Sequence, residues 1–181
     1  MVKIVIIRHG EVDYRWSRRC TSEEFDKECS EYDKAPIKDT SYKTPPFECR
    51  KVYISTLPRS LETALKIFGD REFIATDLIS EVPLRSGFDT EKKLPLWFWN
   101  ITGRMQWVFN VSRQAESRRQ TKNRARKFVK MLCRADEDCA VVTHGFYMHT
   151  LLGEMKKAGF RTDRTHAVYK NGECVVAEKK K

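Results

Sequence analysis

The stretch Val2-Lys3-Ile4-Val5-Ile6-Ile7-Arg8-His9-Gly10-Glu11 decides the fold expected for this chain. Its first six residues are mostly β-branched and predict a buried strand, which a guanidinium, an imidazole and a glycine follow directly. In open α/β sheets, ligands bind beside the carboxyl ends of the strands. The stretch therefore predicts a sheet with an anion-binding or catalytic site where the first strand ends.

Strand and helix patterns alternate along the rest of the 181-residue chain. Strands are predicted at 51–55, 72–75 and 139–143, and helices at 59–68, 116–132 and 146–158. This alternation predicts an α/β fold in which a mostly parallel central sheet is flanked by helices in three layers. Asn171-Gly172 is a strong hairpin signal and predicts a closing hairpin between strands at 167–170 and 173–176.

Residues 1–181 are expected to form one domain, since a chain of this length can bury a core of its own. Two polar and aromatic stretches, about 12–48 and 82–115, break the alternation and predict a small irregular or helical cap over the sheet edge. Within the first, residues 31–36 and the polar run after them are interpreted as a loop. Aromatic residues of the second are expected to pack the cap onto the core, with clamping of an aromatic or apolar part of a substrate as the alternative: Trp97, Phe98, Trp99, Trp107 and Phe109.

The chain is basic: 35 Lys and Arg against 25 Asp and Glu give a formal charge of +10. This charge favours anionic partners, which include phosphate esters, nucleic acids and acidic membrane surfaces. No apolar run approaches the roughly 20 residues of a transmembrane helix. With no signal-peptide pattern at the start, the sequence predicts a cytoplasmic protein and no membrane partner. Six cysteines without Cys-x-x-Cys spacing are interpreted as reduced thiols.

Two further segments place functional side chains after predicted strands. His144-Gly145 follows the strand at 139–143, and Arg59 opens a helix after the strand at 51–55. An arginine at a helix start favours anions through its charge and through free backbone N–H groups. Guanidinium groups match phosphate oxygens, and they disfavour a protonated imidazole nearby. Arg8, Arg59 and the two histidines therefore predict a phosphoryl-binding pocket with a neutral, nucleophilic histidine.

Three motifs together resemble the histidine phosphatase superfamily, whose fold is phosphoglycerate-mutase-like. They are Arg8-His9-Gly10-Glu11, Ser55-x-x-x-Arg59-Ser60-x-x-Thr63-Ala64 and Val142-Thr143-His144-Gly145. The resemblance runs in order over most of the chain. It implies that His9 is the residue phosphorylated, that Arg8, Arg59 and His144 hold the phosphoryl oxygens, and that the reaction needs no metal or cofactor.

The resemblance also implies a glutamate that donates a proton to the leaving oxygen. Glu81, at the end of Leu78-Ile79-Ser80-Glu81, is the candidate. The expected catalytic residues are thus His9, Glu81 and His144. Four neighbours are expected to orient the pocket: Gly10, Glu11, Ser55 and Gly145.

The expected function is hydrolysis of a phosphate monoester, with a phosphorylated small molecule as substrate and a phosphoprotein as a further candidate. Mutase activity is disfavoured, because mutases of the family are longer and use an insertion with basic residues. Two alternatives stay open: a phosphate- or phosphoprotein-binding module of this fold without turnover, and a basic nucleic-acid-binding protein. The second rests on the basic stretch 113–130, which no nucleic-acid motif accompanies. The sequence after Glu11 and after Glu81 departs from the family pattern, so the substrate is not predicted. The sequence does not predict the oligomeric state either.

Overall fold

The computed structural model of the protein describes residues 1–163, 165 and 168–180. Its strands are β1 (Val2–Arg8), β2 (Arg19–Cys20), β3 (Lys51–Ile54), β4 (Ile74–Ala75), β5 (Leu94–Pro95), β6 (Cys139–Thr143), β7 (Arg161–Thr162) and β8 (Cys174–Lys179). Its α-helices are α1 (Ser22–Lys34), α2 (Pro58–Phe68), α3 (Leu96–Val108), α4 (Arg118–Ala135) and α5 (Gly145–Lys157), and one 3-10 turn spans Asp77–Ile79.

The central sheet has the strand order β4-β3-β6-β1-β8-β7. β4, β3, β6 and β1 are parallel, while β8 runs antiparallel to both of its neighbours. The predicted α/β fold with a mostly parallel sheet is confirmed. Arg8 pairs with Thr143, and Ile54 pairs with Val142. β1, β3 and β6 therefore end close to the same level.

The two faces of β1 bury different side chains, as the strand period of two requires. Ile4 and Ile6 pack in the apolar cluster that includes α4 and α5, and Val5 and Ile7 pack in the cluster that includes α2. Because helices cover both faces, β1 is a continuous apolar run in the sequence. The polar side chains that follow β1 therefore emerge at the carboxyl edge of the sheet.

The two stretches predicted as a cap pack against each other. β2 pairs with β5, and Cys20, Phe25 and Trp99 form a small buried cluster of their own. The indole N–H of Trp99 donates a hydrogen bond to the Cys20 carbonyl at 3.0 Å. This cluster joins α1 to α3 by apolar contact and β2 to α3 by one buried hydrogen bond.

The interpretation of residues 31–36 as a loop is wrong, because Glu31 to Lys34 form the last turn of α1. Thr21 and Glu24 close a capping box that starts this helix. Its apolar face is short: Phe25, Cys29 and Tyr32 follow at helical spacing, and of these three Phe25 is buried and the other two are half-buried.

The predicted closing hairpin is wrong in its first strand. Residues 168–170 are not a strand, Ala167 lies outside the described residues, and β8 pairs with β7 instead. A turn does form at Asn171-Gly172, where Gly172 has a φ of 72°. The Asn171 side chain donates to the carbonyls of His9 and Gly10, each at 3.1 Å. The turn therefore contacts the loop after β1. The described residues just before it do not pair with β8.

Candidate active site

The parallel register aligns three polar side chains at one edge of the sheet. His9 comes directly after β1, Ser55 directly after β3 and His144 directly after β6. The His9 N–H donates to the Thr143 carbonyl at 2.8 Å and the Ser55 N–H to the Val142 carbonyl at 3.3 Å, so sheet pairing continues one residue past the strands. The rings of His9 and His144 have centroids 5.0 Å apart. The structure thus brings the two predicted histidines together.

His9 is buried, with 2% of its surface exposed. Its Nδ1 lies 2.7 Å from the Gly10 carbonyl oxygen, which can only accept, so Nδ1 carries the hydrogen and Nε2 is unprotonated in the neutral ring. Burial and the nearby charge of Arg59 lower the pKa of His9 to about 3. The Gly10 N–H donates to Thr63 Oγ1 at 2.8 Å, which fixes the same loop to α2. His9 is therefore a neutral imidazole with a defined tautomer.

Arg59 and Ser55 hold the second histidine. Arg59, 1% exposed in the first turn of α2, donates from Nε to His144 Nδ1 at 3.2 Å. Because Nδ1 accepts, Nε2 carries the hydrogen of His144 and donates to Ser55 Oγ at 2.6 Å. Burial, coupling to the neighbouring His9 and the charge of Arg59 lower the pKa of His144 well below its ordinary value. Both histidines are therefore neutral at physiological pH.

Arg8 presents a buried donor to the same region. Its Nη1 donates to the Tyr169 carbonyl, whereas its Nε is buried and has no partner among the residues that the structure describes. A Cβ on Gly145 would come within 2.7 Å of Arg8 Nε, so the glycine makes room for this guanidinium at the start of α5. A buried donor without a partner costs free energy unless a ligand supplies an acceptor.

Glu81 reaches the site through the 3-10 turn that follows β4. Thr143 Oγ1 donates to the Ile79 carbonyl at 2.6 Å and holds this turn against β6. The Glu81 carboxylate accepts from the N–H groups of Val82 at 2.9 Å, Tyr147 at 3.0 Å and Phe146 at 3.4 Å. The carboxylate thus lies at the N-terminus of α5, where the helix dipole favours negative charge.

Glu11 lies outside this cluster. Its carboxylate forms an exposed ion pair with Lys38 at 2.5 Å instead of orienting the pocket. Gly10, Ser55 and Gly145 do lie beside the functional side chains. Among residues 1–163, 165 and 168–180, no group of three His, Cys, Asp or Glu side chains comes together as metal ligands.

Two residues of α1 that the sequence analysis missed cover Arg59. Asp33 accepts from Arg59 Nη1 at 2.9 Å, and the guanidinium carbon of Arg59 lies 5.1 Å from the centre of the Tyr32 ring. Burial raises the pKa of Tyr32, whose phenol lies within reach of the charges of Arg59, Arg8 and Glu81. Neither residue belongs to a recognisable motif, and both lie in a stretch that was interpreted as a loop, so neither was predicted to reach the site.

A third missed residue comes from α3. Arg104 stacks its guanidinium on the Phe146 ring at 3.8 Å and donates to the Val82 carbonyl at 3.1 Å. Burial lowers its pKa, while the negative charge of Glu81 opposes that shift. Arg104 therefore places a cationic group beside the Val82 backbone and the first turn of α5.

Several solved structures share this fold over most of the chain. A mycobacterial glucosyl-3-phosphoglycerate phosphatase complexed with VO3 has a TM-score of 0.56 and 16% identity, covering 96% of this chain and 91% of its own. A phosphoserine phosphatase mutant from Entamoeba histolytica in complex with phosphoserine has a TM-score of 0.54 and 18% identity, covering 87% and 81%. A mycobacterial hydrolase has a TM-score of 0.58 and 16% identity, covering 96% and 80%. At these identities the likeness shows a common fold.

Among curated protein sequences, none matches this chain. The family model of the histidine phosphatase superfamily (branch 1) matches residues 4–180, a range that includes all three motifs. The chain therefore belongs to branch 1 of the histidine phosphatase superfamily.

Proposed function

We propose that this protein is a phosphatase that hydrolyses a phosphate monoester through a phosphohistidine on His9. The observation that carries the proposal is the state of His9: a buried, neutral imidazole whose Nδ1–H is bound to the Gly10 carbonyl. A nitrogen nucleophile needs an unprotonated atom with fixed orientation, and the Nε2 of His9 has both. The half-buried Arg8 and the buried Arg59 supply the charge that a phosphoryl group requires.

In the first step, His9 Nε2 attacks phosphorus and the bond to the ester oxygen breaks. Arg8, Arg59 and His144 hold the non-bridging oxygens, and their fixed positions stabilise the charge of the transition state without reorganisation. The leaving oxygen takes a proton from the Glu81 carboxyl group, which enters this step protonated and leaves it as a carboxylate bound by backbone N–H groups. A phosphohistidine and a free alcohol result.

In the second step, water attacks the phosphohistidine and the phosphorus–nitrogen bond breaks. The Glu81 carboxylate takes a proton from the water, and phosphate leaves with His9 neutral again. The steps need no metal or cofactor. A phosphorylated small molecule is the proposed substrate, which is supported by the phosphoserine and VO3 complexes of proteins with the same fold.

The test of the nucleophile compares the protein with its His9→Ala variant on 4-nitrophenyl phosphate. We expect turnover to fall by about a thousandfold or more, because no other side chain takes over the attack. Mass spectrometry after an alkaline quench should find one phosphoryl group on His9 of the unmodified protein. Full turnover by the variant would overturn the mechanism. Vanadate binding without turnover of any phosphate ester would favour the binding module instead.

The test of Glu81 uses the leaving group. Glu81→Gln should slow hydrolysis of an alkyl phosphate far more than that of 4-nitrophenyl phosphate, since a poor leaving group needs the proton most. Glu11→Gln is the matched control, because Glu11 forms a surface ion pair. Equal slowing on both substrates would assign Glu81 to the structure of the α5 N-terminus and not to proton transfer.

A further inference from the structure

The outer face of α3 carries a stripe of exposed apolar side chains. Trp97 is 63% exposed and Phe109, directly after the helix, is 71% exposed. Between them three more exposed apolar residues follow at helical spacing: Ile101, Met105 and Val108. Positions three and four apart share one face of a helix, and the 1.5 Å rise per residue makes this stripe about 18 Å long.

The opposite face of α3 fixes the orientation of this stripe. Trp99, Gly103 and Trp107 are buried on the inner face, and the Trp107 indole donates to Thr121 Oγ1 of α4 at 2.9 Å. The outer stripe therefore does not belong to the core that the described residues form. Contiguous exposed apolar surface of this kind marks an interaction site.

Cationic residues lie near both ends of the stripe. At the Trp97 end, the Leu96 N–H donates to the backbone carbonyl of the exposed Arg18 at 3.0 Å, which places the Arg18 backbone beside the start of α3. At the other end, one surface depression is lined by Val108 together with Arg118, Arg119 and Lys122 of α4. None of these four cationic residues is in an ion pair with any residue that the structure describes.

Two carboxylates near the α4 end of the stripe are paired with basic side chains. Glu116 is in a half-buried ion pair with Arg124 at 2.7 Å, and Glu154, which lines one depression with Val108, is bound by Arg126 and Lys157. The face around α3 is therefore apolar along its centre and positive at its α4 end, with the exposed Arg18 near its other end. An occupant of matching chemistry offers apolar surface and negative charge together.

We propose that the α3 stripe and its flanking cations bind the surface of an anionic lipid bilayer. The acyl region accepts the apolar side chains, with the Trp97 indole at headgroup level, and the headgroups pair with the cations. A second copy of this chain fits less well, because it would bring the cationic groups of two copies together. No helix of the described residues is long and apolar enough to cross a membrane, so the contact is interfacial. This proposal departs from the sequence prediction of no membrane partner.

The experiment is co-sedimentation of the full chain with phosphatidylcholine vesicles, with and without phosphatidylglycerol. We expect binding to the anionic vesicles only, weakened by high salt, with a blue shift of tryptophan emission. A variant with Trp97→Ser, Ile101→Ser and Phe109→Ser should lose this binding. Its matched control, Leu61→Ser with Leu65→Ser, changes exposed apolar residues of α2 and should bind like the unmodified protein.

A second pair of variants separates charge from apolar contact on α4. Arg118→Ser with Lys122→Ser should weaken binding about tenfold or more, while Lys127→Ser with Lys130→Ser, on the same helix, should change it much less. Absence of binding to anionic vesicles would overturn the proposal, as would binding that the α3 variant keeps. Self-association that the α3 variant abolishes, without vesicle binding, would also overturn it in favour of a contact between copies.

Discussion

The sheet edge and the cap are held together by different forces. At the edge, His9, His144 and Arg59 are buried and each is fixed by hydrogen bonds to neighbouring groups. The cap rests on the small apolar cluster around Trp99 and leaves one face of α3 exposed. A polar network of this kind allows one arrangement, whereas an apolar cluster tolerates changes of shape and volume. The proposed chemistry therefore lies in the rigid region, and we assign adaptation to a substrate or partner to the cap.

The largest effect is expected from the cap cluster, where two tryptophans of α3 form a matched pair. Trp99→Ala removes a fully buried indole and its bond to Cys20, and should lower the free energy of unfolding by about 3–5 kcal/mol. Trp97→Ala removes an exposed side chain and should change it by less than about 0.5 kcal/mol. Urea unfolding followed by circular dichroism gives both values. Equal effects would contradict the assignment of Trp99 as the centre of the cap.

The buried His9 should make the edge sensitive to acid. The pKa of His9 is lowered from its ordinary value of 6.5 to about 3 in the folded protein, so the unfolded chain takes up the proton first as pH falls. Stability is thus unaffected above about pH 6.5 and is lost below it, by about 1.4 kcal/mol per pH unit down to about pH 4.

His9→Gln removes this titration while the carboxylates titrate alike in both proteins. The free energy of unfolding, measured at pH 6 and at pH 4, should therefore fall by about 2–3 kcal/mol less in the variant. An identical pH slope in the two proteins would show that His9 is not held neutral.

The sheet edge could be predicted from the sequence because its information is local. Each of His9 and His144 directly follows an apolar strand, and parallel strands end at one edge whatever their length. Glu81 was located only through the family resemblance. Its bonds to the α5 N-terminus depend on the 3-10 turn after β4, which no periodic pattern indicates.

The cap could not be predicted because its contacts join distant segments. Asp33 meets Arg59 across 26 positions of the chain, and Trp99 meets Cys20 across 79. The apolar face of α1 consists of Phe25, Cys29 and Tyr32 among charged residues, a pattern too short to predict the helix, so Tyr32 was not placed at the site. The expectation that Trp97 and Phe109 pack onto the core was wrong for a related reason, since both are exposed. The sequence shows that a residue is aromatic, but whether its side chain is buried depends on which other segments cover that face of the helix.

Two glycines of α5 give a sharper test of whether Arg8 binds the substrate at the sheet edge. Gly145→Ala places a methyl group against Arg8 Nε and should shift this guanidinium, so kcat/KM for an aryl phosphate should fall about tenfold or more. Gly153→Ala meets nothing within 4 Å and should keep full activity while raising helix stability by about 0.5–1 kcal/mol. Unchanged activity of the first variant would remove Arg8 from the binding pocket.

The smallest effect is expected where the two regions meet, at the ion pair of Asp33 and Arg59. The Asp33 carboxylate occupies Nη1 of the arginine that the proposed mechanism assigns to the phosphoryl group. Asp33→Asn keeps the size of the side chain and removes the competing charge. Since the Asp33 side chain is 46% exposed and its charge is screened, we expect inhibition by phosphate or vanadate to become only about two- to fivefold tighter.

The control is Asp39→Asn, which removes the carboxylate of a surface ion pair with Lys66 and should leave the inhibition constant unchanged. The Asp33→Asn effect should also shrink as salt rises, because screening already weakens the native ion pair. Weaker inhibition in Asp33→Asn would mean that the carboxylate positions Arg59 for the phosphoryl group instead of competing with it. In that case α1 belongs to the rigid catalytic region, and the boundary between edge and cap lies beyond Asp33.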